Sequence, residues 1–371
     1  MKTPRLPWRL LTLLLIALLV PLGVRWLLGQ WPGARYVELL AYDWRMRALP
    51  AAGADPRIVI IGMDDATLDA LPLGERRFYP LPRALHARLV DELRSGGARV
   101  VGFDIMFTRD GGAADKSFAA ALRRLQQTKG RNGQAGGKAL AALQPKTRLE
   151  NGEETFRFTR SAKLLRPHLT ETSILVPRHW GVVRWFLPLP ADEETTERYP
   201  HFAVAAAASY RGEMARDPIV GRNFRLGRIH APLGGSGEIY IRYAGPPGTF
   251  NIVPYHEVWS GAWRRTRGRN FFRDKIVLIG LVNGLEDRQD TPLGQMQGIE
   301  ILANATQTVL RGAWLRHWSE AASLGVAMAL CAAMALAWGI WGQQHALGIG
   351  IVLALLWIVT SRWRGCPPLT L

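Results

Sequence analysis

Cysteine is almost absent. Of 371 residues only Cys331 and Cys366 carry a thiol, and both fall in or beside strongly apolar C-terminal stretches. The rest of the chain therefore has no disulfide framework, no thiolate metal site and no cysteine nucleophile. This scarcity suits a bacterial envelope domain and a cytosolic one equally, so it does not fix the compartment. Acidic residues are outnumbered, 30 against 47 basic, which leaves a net charge of +17. Such a balance attracts anionic surfaces or ligands, but arginine far exceeds lysine, as in GC-rich bacteria. No basic run is interleaved with aromatics, which argues against a nucleic-acid partner. Catalytic signatures are missing too. There is no G-x-S-x-G elbow, and His86, His168, His179, His201, His230 and His256 show no paired metal-ligand spacing. The GLVNGLED segment after KIVLIG lacks the Gly-Lys-Ser/Thr ending of a phosphate loop. No internal repeat is present.

What the chain does have is long hydrophobic runs at its two ends. Residues 8–28 are broken only by Arg9, Thr12 and Arg25, and at ~1.5 Å per residue they span roughly 31 Å, about one hydrocarbon core. Arg25 can snorkel from one end, and Pro21 is tolerated in a membrane helix. A cleaved signal peptide is the competing reading, with Lys2, Arg5 and Arg9 as a basic n-region. No small-x-small cleavage site follows, which favours an uncleaved anchor. Residues 321–341 carry no charge and 347–363 form a second, shorter run, separated by Gln343, Gln344 and His345. Trp338, Trp341, Trp357 and Trp363 lie where interfacial indoles are favoured. The expected layout is a short N-terminus (1–7), a span (8–28), a water-facing domain (29–317), two further spans (321–341, 347–363) and a short C-terminus (364–371).

Within the domain, residues 57–63 (RIVIIGM) read as a buried strand followed at once by Asp64 and Asp65. Residues 82–95 have helical spacing, with Leu85, Leu89, Val90 and Leu93 on one face and Gly96-Gly97 ending the helix. Residues 99–103 (RVVGF) form a second buried strand closed by Asp104. Strand, helix and strand in that order imply a right-handed parallel crossover. The predicted fold class is α/β: a mixed, largely parallel sheet flanked by helices, plus transmembrane helices. Further helices are predicted over 116–127, 201–210 and 299–310. Strands are predicted over 173–176, 181–187, 237–243 and 275–280. Residues 130–152, rich in Gly, Gln and Lys, read as a flexible insertion.

Several of these blocks resemble the extracellular sensor domain family CHASE2. IVIIGMDDATLDAL, YPLPRALHARLVDEL and RVVGFDIMF look like its opening motifs, and Asp115 fits the usual spacing. GVVRWFLPL, GPPGTFNIVPYHEVWSG and KIVLIGLVNGLEDRQDTPLGQMQGIEILANATQTVLRG look like its later blocks. The resemblance covers residues 29–311, and order and spacing together make it specific. It implies a domain outside the cytoplasmic membrane, after one helix and before usually three more, with a cytoplasmic output to follow. This chain departs from the pattern: it stops at Leu371, just after Pro367-Pro368 where a last helix would start, it carries no output domain, and it has Leu302 where the family often has histidine. A truncated protein and a stand-alone sensor with a separate cytoplasmic output partner both fit.

Four carboxylates follow predicted strands or sit in nearby loops: Asp64, Asp65, Asp104 and Asp287. Ligands of open α/β sheets bind beyond the carboxyl ends of the strands. Asp64, Asp104 and Asp287 are expected to converge there and hold Mg²⁺, Ca²⁺ or the amines of a ligand, the metal being left open. The competing role for Asp64 or Asp65 is to cap the next helix, worth ~1 kcal/mol. Asp287 and Asp290 have a turn before Pro292 to order. Arg83 and Arg184 offer bidentate guanidinium groups to an anion, or pair with a nearby aspartate. No catalytic residue and no cofactor are expected.

The function expected is a sensor module of the bacterial inner membrane that receives an extracytoplasmic ligand, as a homodimer in the lipid bilayer. A membrane-tethered periplasmic metallohydrolase and a non-signalling envelope scaffold are the alternatives. Basic residues at the N-terminus keep it inside, whereas Arg35, Arg45, Arg47, Arg311, Arg316, Arg362 and Arg364 pull the other way. Long domains translocate largely regardless of flanking charge, so the resemblance tips the domain outside.

Overall fold

In a computed structural model the described residues are 15, 19, 22, 23, 26, 32–48, 51–71, 81–128, 136–150, 153–214, 216–221, 223–282, 284, 287–315 and 320–341. The chain divides into one unit built on Pro50–Leu315 and another on Met1–Leu49 with Arg316–Cys366. In the second unit, α1 (Pro32–Ala48) buries Leu39, Asp43 and Met46, spaced four and three residues apart on one helical face. Arg45 and Arg47 sit in its last turn, where cations suit the helix dipole.

The unit Pro50–Leu315 opens with β1 (Ile58–Met63), buried at every position, as a strand covered on both faces must be. Then come α2 (Asp65–Asp69), α3 (Arg83–Ser95), β2 (Val100–Met106), α4 (Ala113–Gln127), β3 (Lys138–Ala142), β4 (Gln144–Glu150), β5 (Glu153–Thr159) and β6 (Thr170–Thr172). Short elements follow: β7 (Arg178–His179), β8 (Val182–Val183), β9 (Trp185–Phe186), α5 (Phe202–Arg211), β10 (Ile219–Val220), β11 (Asn223–Leu226), β12 (Ile229–Pro232) and β13 (Ile239–Tyr240). The unit closes with β14 (Ile252–Pro254), α6 (Tyr255–Trp259), α7 (Trp263–Thr266), β15 (Ile276–Leu281), β16 (Arg288–Thr291), β17 (Gly294–Gln297) and α8 (Gly298–Arg311).

The central sheet has the order β14-β1-β15-β2-β3-β6, and all its described pairings are parallel. β15, late in the chain, is threaded between β1 and β2. One sheet face, carrying Val59, Ile61, Val101, Phe103, Val277 and Ile279, packs with Leu89, Leu93, Phe118 and Leu122 of α3 and α4. His86 is sealed in that layer. Its Nδ1 pairs with Tyr255 Oη at 2.9 Å, its Nε2 has no partner, and burial pushes it down to about 3. On the opposite face glycines let helices come close: a Cβ on Gly102 would lie 2.5 Å from Phe202 of α5, and one on Gly280 would lie 2.9 Å from Ile299 of α8.

The long periodic elements fall where the sequence predicts them, and the short ones do not. Residues 130–152, predicted as a flexible insertion, contain β3 and β4; β3 is a small-residue strand (KALAA) buried at its last four positions. β2 runs on to Met106, so Asp104 lies inside the strand rather than after it. The strand predicted over 181–187 is split into β8 and β9 at Arg184, and that predicted over 237–243 is reduced to β13.

Last comes α9 (Glu320–Trp341), a 22-residue helix in the flanking unit. Among the described residues no helix is long and apolar enough to cross a membrane. The predicted span 347–363 and most of 8–28 lie outside the described residues.

Candidate functional site

The carboxyl edge of β15 and β2 faces the amino-terminal turn of α8. Asp104 projects from the α5/α8 side of β2 (its neighbour Phe103 belongs to the opposite core layer). Asp287 sits just before β16 and caps α8 in trans. Its Oδ2 accepts the Gly298 N–H at 3.0 Å and its carbonyl accepts the same N–H at 3.2 Å. A Cβ on Gly298 would lie 2.7 Å from Asp287 Oδ1, so this approach needs glycine. The side chain of Asp104 makes no described hydrogen bond or ion pair. It lies deep in the domain yet keeps some solvent contact; burial, together with repulsion from Asp287, pushes its carboxyl up to about 7. Burial also raises Asp287, against the Gly298 N–H and the Arg178 charge, which lower it.

Beside this pair lies an open cleft of about 270 Å³. Ile60, Ile252, Val282 and Ile299 form its apolar walls, and Arg288, Gln297 and Glu300 supply polar groups. Glu300 is buried at 5 % exposure. Its Oε1 accepts the Gly248 and Thr249 N–H groups at 2.7 and 3.2 Å, and burial pushes its carboxyl up against those two donors. Gln297 donates from Nε2 to the Gly284 carbonyl at 3.2 Å, while its Oε1 is buried without a partner. Arg288 is exposed and makes no ion pair among the described residues.

Of the residues singled out from sequence, the fold brings Asp104 and Asp287 together and gives the others local tasks. Asp64 caps α2, its Oδ1 accepting from Thr67 N at 2.8 Å and Thr67 Oγ1 at 2.7 Å. Asp65 is exposed in the first turn of the same short helix. Arg83 donates from Nε to Asp115 Oδ1 at 3.2 Å and lays its guanidinium 4.4 Å over the Phe107 ring. This fixes the start of α3 to that of α4. Arg184, expected to meet an anion or a nearby aspartate, is 2 % exposed and donates to the His179 carbonyl at 2.8 Å, bracing the β7–β8 turn. Among the described residues no group of three or more His, Cys, Asp or Glu side chains is placed to hold a metal ion. Two carboxylates alone fall short of the six to eight oxygens calcium takes. Sequence reasoning missed the cleft. The signal for it was the polar stripe Glu300, Asn304 and Thr308 at i, i+4 and i+8 of α8.

That stripe continues to the far end of α8, whose residues Gly298–Leu310 are all buried. Asn304 Oδ1 accepts Ala244 N at 2.7 Å and Thr308 Oγ1 accepts Arg242 N at 3.0 Å. Gln307 reads the opening loop of the domain, accepting Asp55 N at 2.7 Å and donating to Gly53 O at 2.9 Å. Asp55, 2 % exposed, is held by Arg57 at 2.8 Å and Arg311 at 2.9 Å. Burial alone would raise its carboxyl, but the two guanidinium groups hold it well below the usual carboxylate range. The first and last described parts of the domain are thus clamped together by the end of the helix whose start lines the cleft.

The sequence profile of the CHASE2 domain matches residues 12–340. No curated protein and no solved structure matches the chain.

Proposed function

This chain belongs to the CHASE2 domain family, sensor domains of signal-transduction proteins, and on that premise we propose that it is the membrane-anchored, extracytoplasmic sensor of a bacterial signalling system. The observation that carries the proposal is α8. Its 14 residues, ~21 Å at 1.5 Å per residue, join the carboxyl-edge cleft to the Asp55–Arg311 clamp. A ligand that binds two settings of this helix unequally shifts their populations; one that binds them equally shifts nothing. The shift leaves the domain where residue 311 leads on towards the apolar sequence 321–341. The apolar sequence at 8–28 and 347–363 supports anchorage, and Lys2, Arg5 and Arg9 support an inside N-terminus. A homodimer in the bilayer and a separate cytoplasmic output protein complete the proposal. We read the domain as receptive rather than catalytic, because Asp104 and Asp287 have neither a nucleophile nor a third metal-ligating side chain beside them among the described residues.

The test is location. In a chain with Cys331 and Cys366 changed to serine, Ser236→Cys places a single thiol on an exposed turn. Expressed in bacteria, it is expected in the alkali-resistant membrane fraction and to react with an impermeant maleimide in intact spheroplasts. Labelling only after the membrane is opened, or recovery in the soluble fraction, overturns the proposal.

A further inference from the structure

The cleft beside α8 has polar groups of two kinds and walls of a third. At one side stands Arg288, an exposed guanidinium with no ion pair among the described residues. Elsewhere the cleft presents an acceptor. Glu300 is nine-tenths buried, spends Oε1 on two backbone N–H groups and makes no hydrogen bond through Oε2 among the described residues. A buried acceptor without a donor is costly and is normally satisfied. Arg288 and Glu300 line the same space without pairing with each other. Between them are aliphatic side chains, including Ile252, which is 38 % exposed although it sits in the central sheet. The volume of about 270 Å³ lies just below the range of drug-sized ligand pockets, which begins at about 300 Å³. That suits a free amino acid or a dipeptide.

We propose that this cleft binds a small aliphatic zwitterion, its carboxylate on Arg288, its ammonium on Glu300 Oε2, and its aliphatic body against Ile60, Ile252 and Val282. The assignment rests on the sensor reading and names the chemistry of its ligand. A guanidinium pairs with a carboxylate in bidentate fashion, and a site built to bond two charged ends rejects analogues that leave a buried polar group unpaired. Free aliphatic amino acids and their short peptides share this chemistry, and the two sources are separated by measuring both.

The experiment is calorimetric titration of the purified full chain with four probes: L-leucine, L-leucyl-L-leucine, isocaproate (no ammonium) and isoamylamine (no carboxylate). One zwitterion is expected to saturate at one per chain, with both truncated probes at least tenfold weaker. Arg288→Gln is expected to weaken the zwitterion and isocaproate tenfold or more while leaving isoamylamine unchanged. Glu300→Gln is expected to do the reverse; because Glu300 also holds the 248–249 backbone, the four probes on the native chain and on Arg288→Gln decide if that variant does not fold. Absence of saturable binding by either zwitterion overturns the inference, as does equal binding of all four probes or equal loss of isocaproate and isoamylamine in Arg288→Gln. Failure here with outward labelling of Ser236→Cys removes the ligand class and leaves the sensor; binding without outward labelling does the opposite.

Discussion

Replacing Asp104 by asparagine keeps the shape of the side chain and removes a charge from a carboxyl that the fold holds near Asp287. In the unfolded chain Asp104 ionises near its ordinary value of 3.8, and in the folded chain at about 7. Between those values the folded form carries the extra proton, so this residue makes stability fall as pH rises, and the loss is complete above about pH 7. Three pKa steps at ~1.4 kcal/mol each come to about 4 kcal/mol. The partial solvent contact of Asp104 screens its charge and reduces this to about 2 kcal/mol. Asp104→Asn is therefore expected to be more stable than the native chain by about 2 kcal/mol at pH 8 and equal to it below pH 4. The assay is urea unfolding of both full chains at pH 4, 6 and 8, followed by tryptophan fluorescence. Taking the difference cancels groups common to both, including His86, whose burial opposes protonation and weakens the fold as pH falls below 6.5. An asparagine variant that loses stability with rising pH as steeply as the native chain, or that is the less stable of the two at pH 8, refutes the account of a strained acid pair.

At the other end of α8, Arg311→Ala leaves Asp55 with Arg57 as its remaining ion-pair partner, and the lost charged hydrogen bond is worth about 2 kcal/mol. Because the folded-state value of Asp55 is depressed, its contribution is present above about pH 4 and is lost as pH falls through the folded value. The variant's deficit, read from urea midpoints, is expected to be full at pH 7 and to shrink at pH 3; a deficit that does not change with pH assigns the loss to packing instead. Gly102→Ala puts a methyl group 2.5 Å from Phe202 and is expected to cost about 1–3 kcal/mol by overpacking. Gly235→Ala, which meets nothing within 4 Å, is the control, expected within about 0.5 kcal/mol of the native chain; equal thermal midpoints for both variants would show that α5 does not press on β2.

The parts of the fold legible in the sequence are those where burial alone sets the pattern. β1 and β15 are covered on both faces and appear as apolar runs rich in Ile and Val. α3 is covered on one face and shows the matching period. β7 to β9 and β13 are two residues each, too short to carry a period, and their boundaries come from tertiary contacts such as the Arg184 brace. β3 was hidden by its alanines, which pack well but carry little strand preference. The site was half legible by the same logic. Placing carboxylates at strand ends found Asp104 and Asp287, because topology alone brings those ends together. For Asp64 it left a ligand role and a helix cap side by side, and Thr67, three residues on, decides for the cap, its N–H and hydroxyl both satisfying that carboxylate locally. Glu300 was not singled out, because its partners, the Gly248 and Thr249 N–H groups, lie far back in the chain.

The strand order explains why the apolar walls of the cleft have no local signature. Ile60, Ile252, Val282 and Glu300 become neighbours because β14 flanks β1 on one side and β15 on the other. No window of sequence contains two of the first three walls. The same threading gives α8 its position, since the chain leaving β15 must return across the glycine-lined face from the carboxyl edge to the amino edge. A helix that makes this crossing touches the cleft with its first turn and the opening loop of the domain with its last. Its inward polar residues bond backbone at 53–55 and 242–249, so a displacement of the helix along its axis breaks bonds at both ends together. The proposed coupling therefore needs no wire of contacts through the domain; one buried rod, bonded to main chain along its length, suffices.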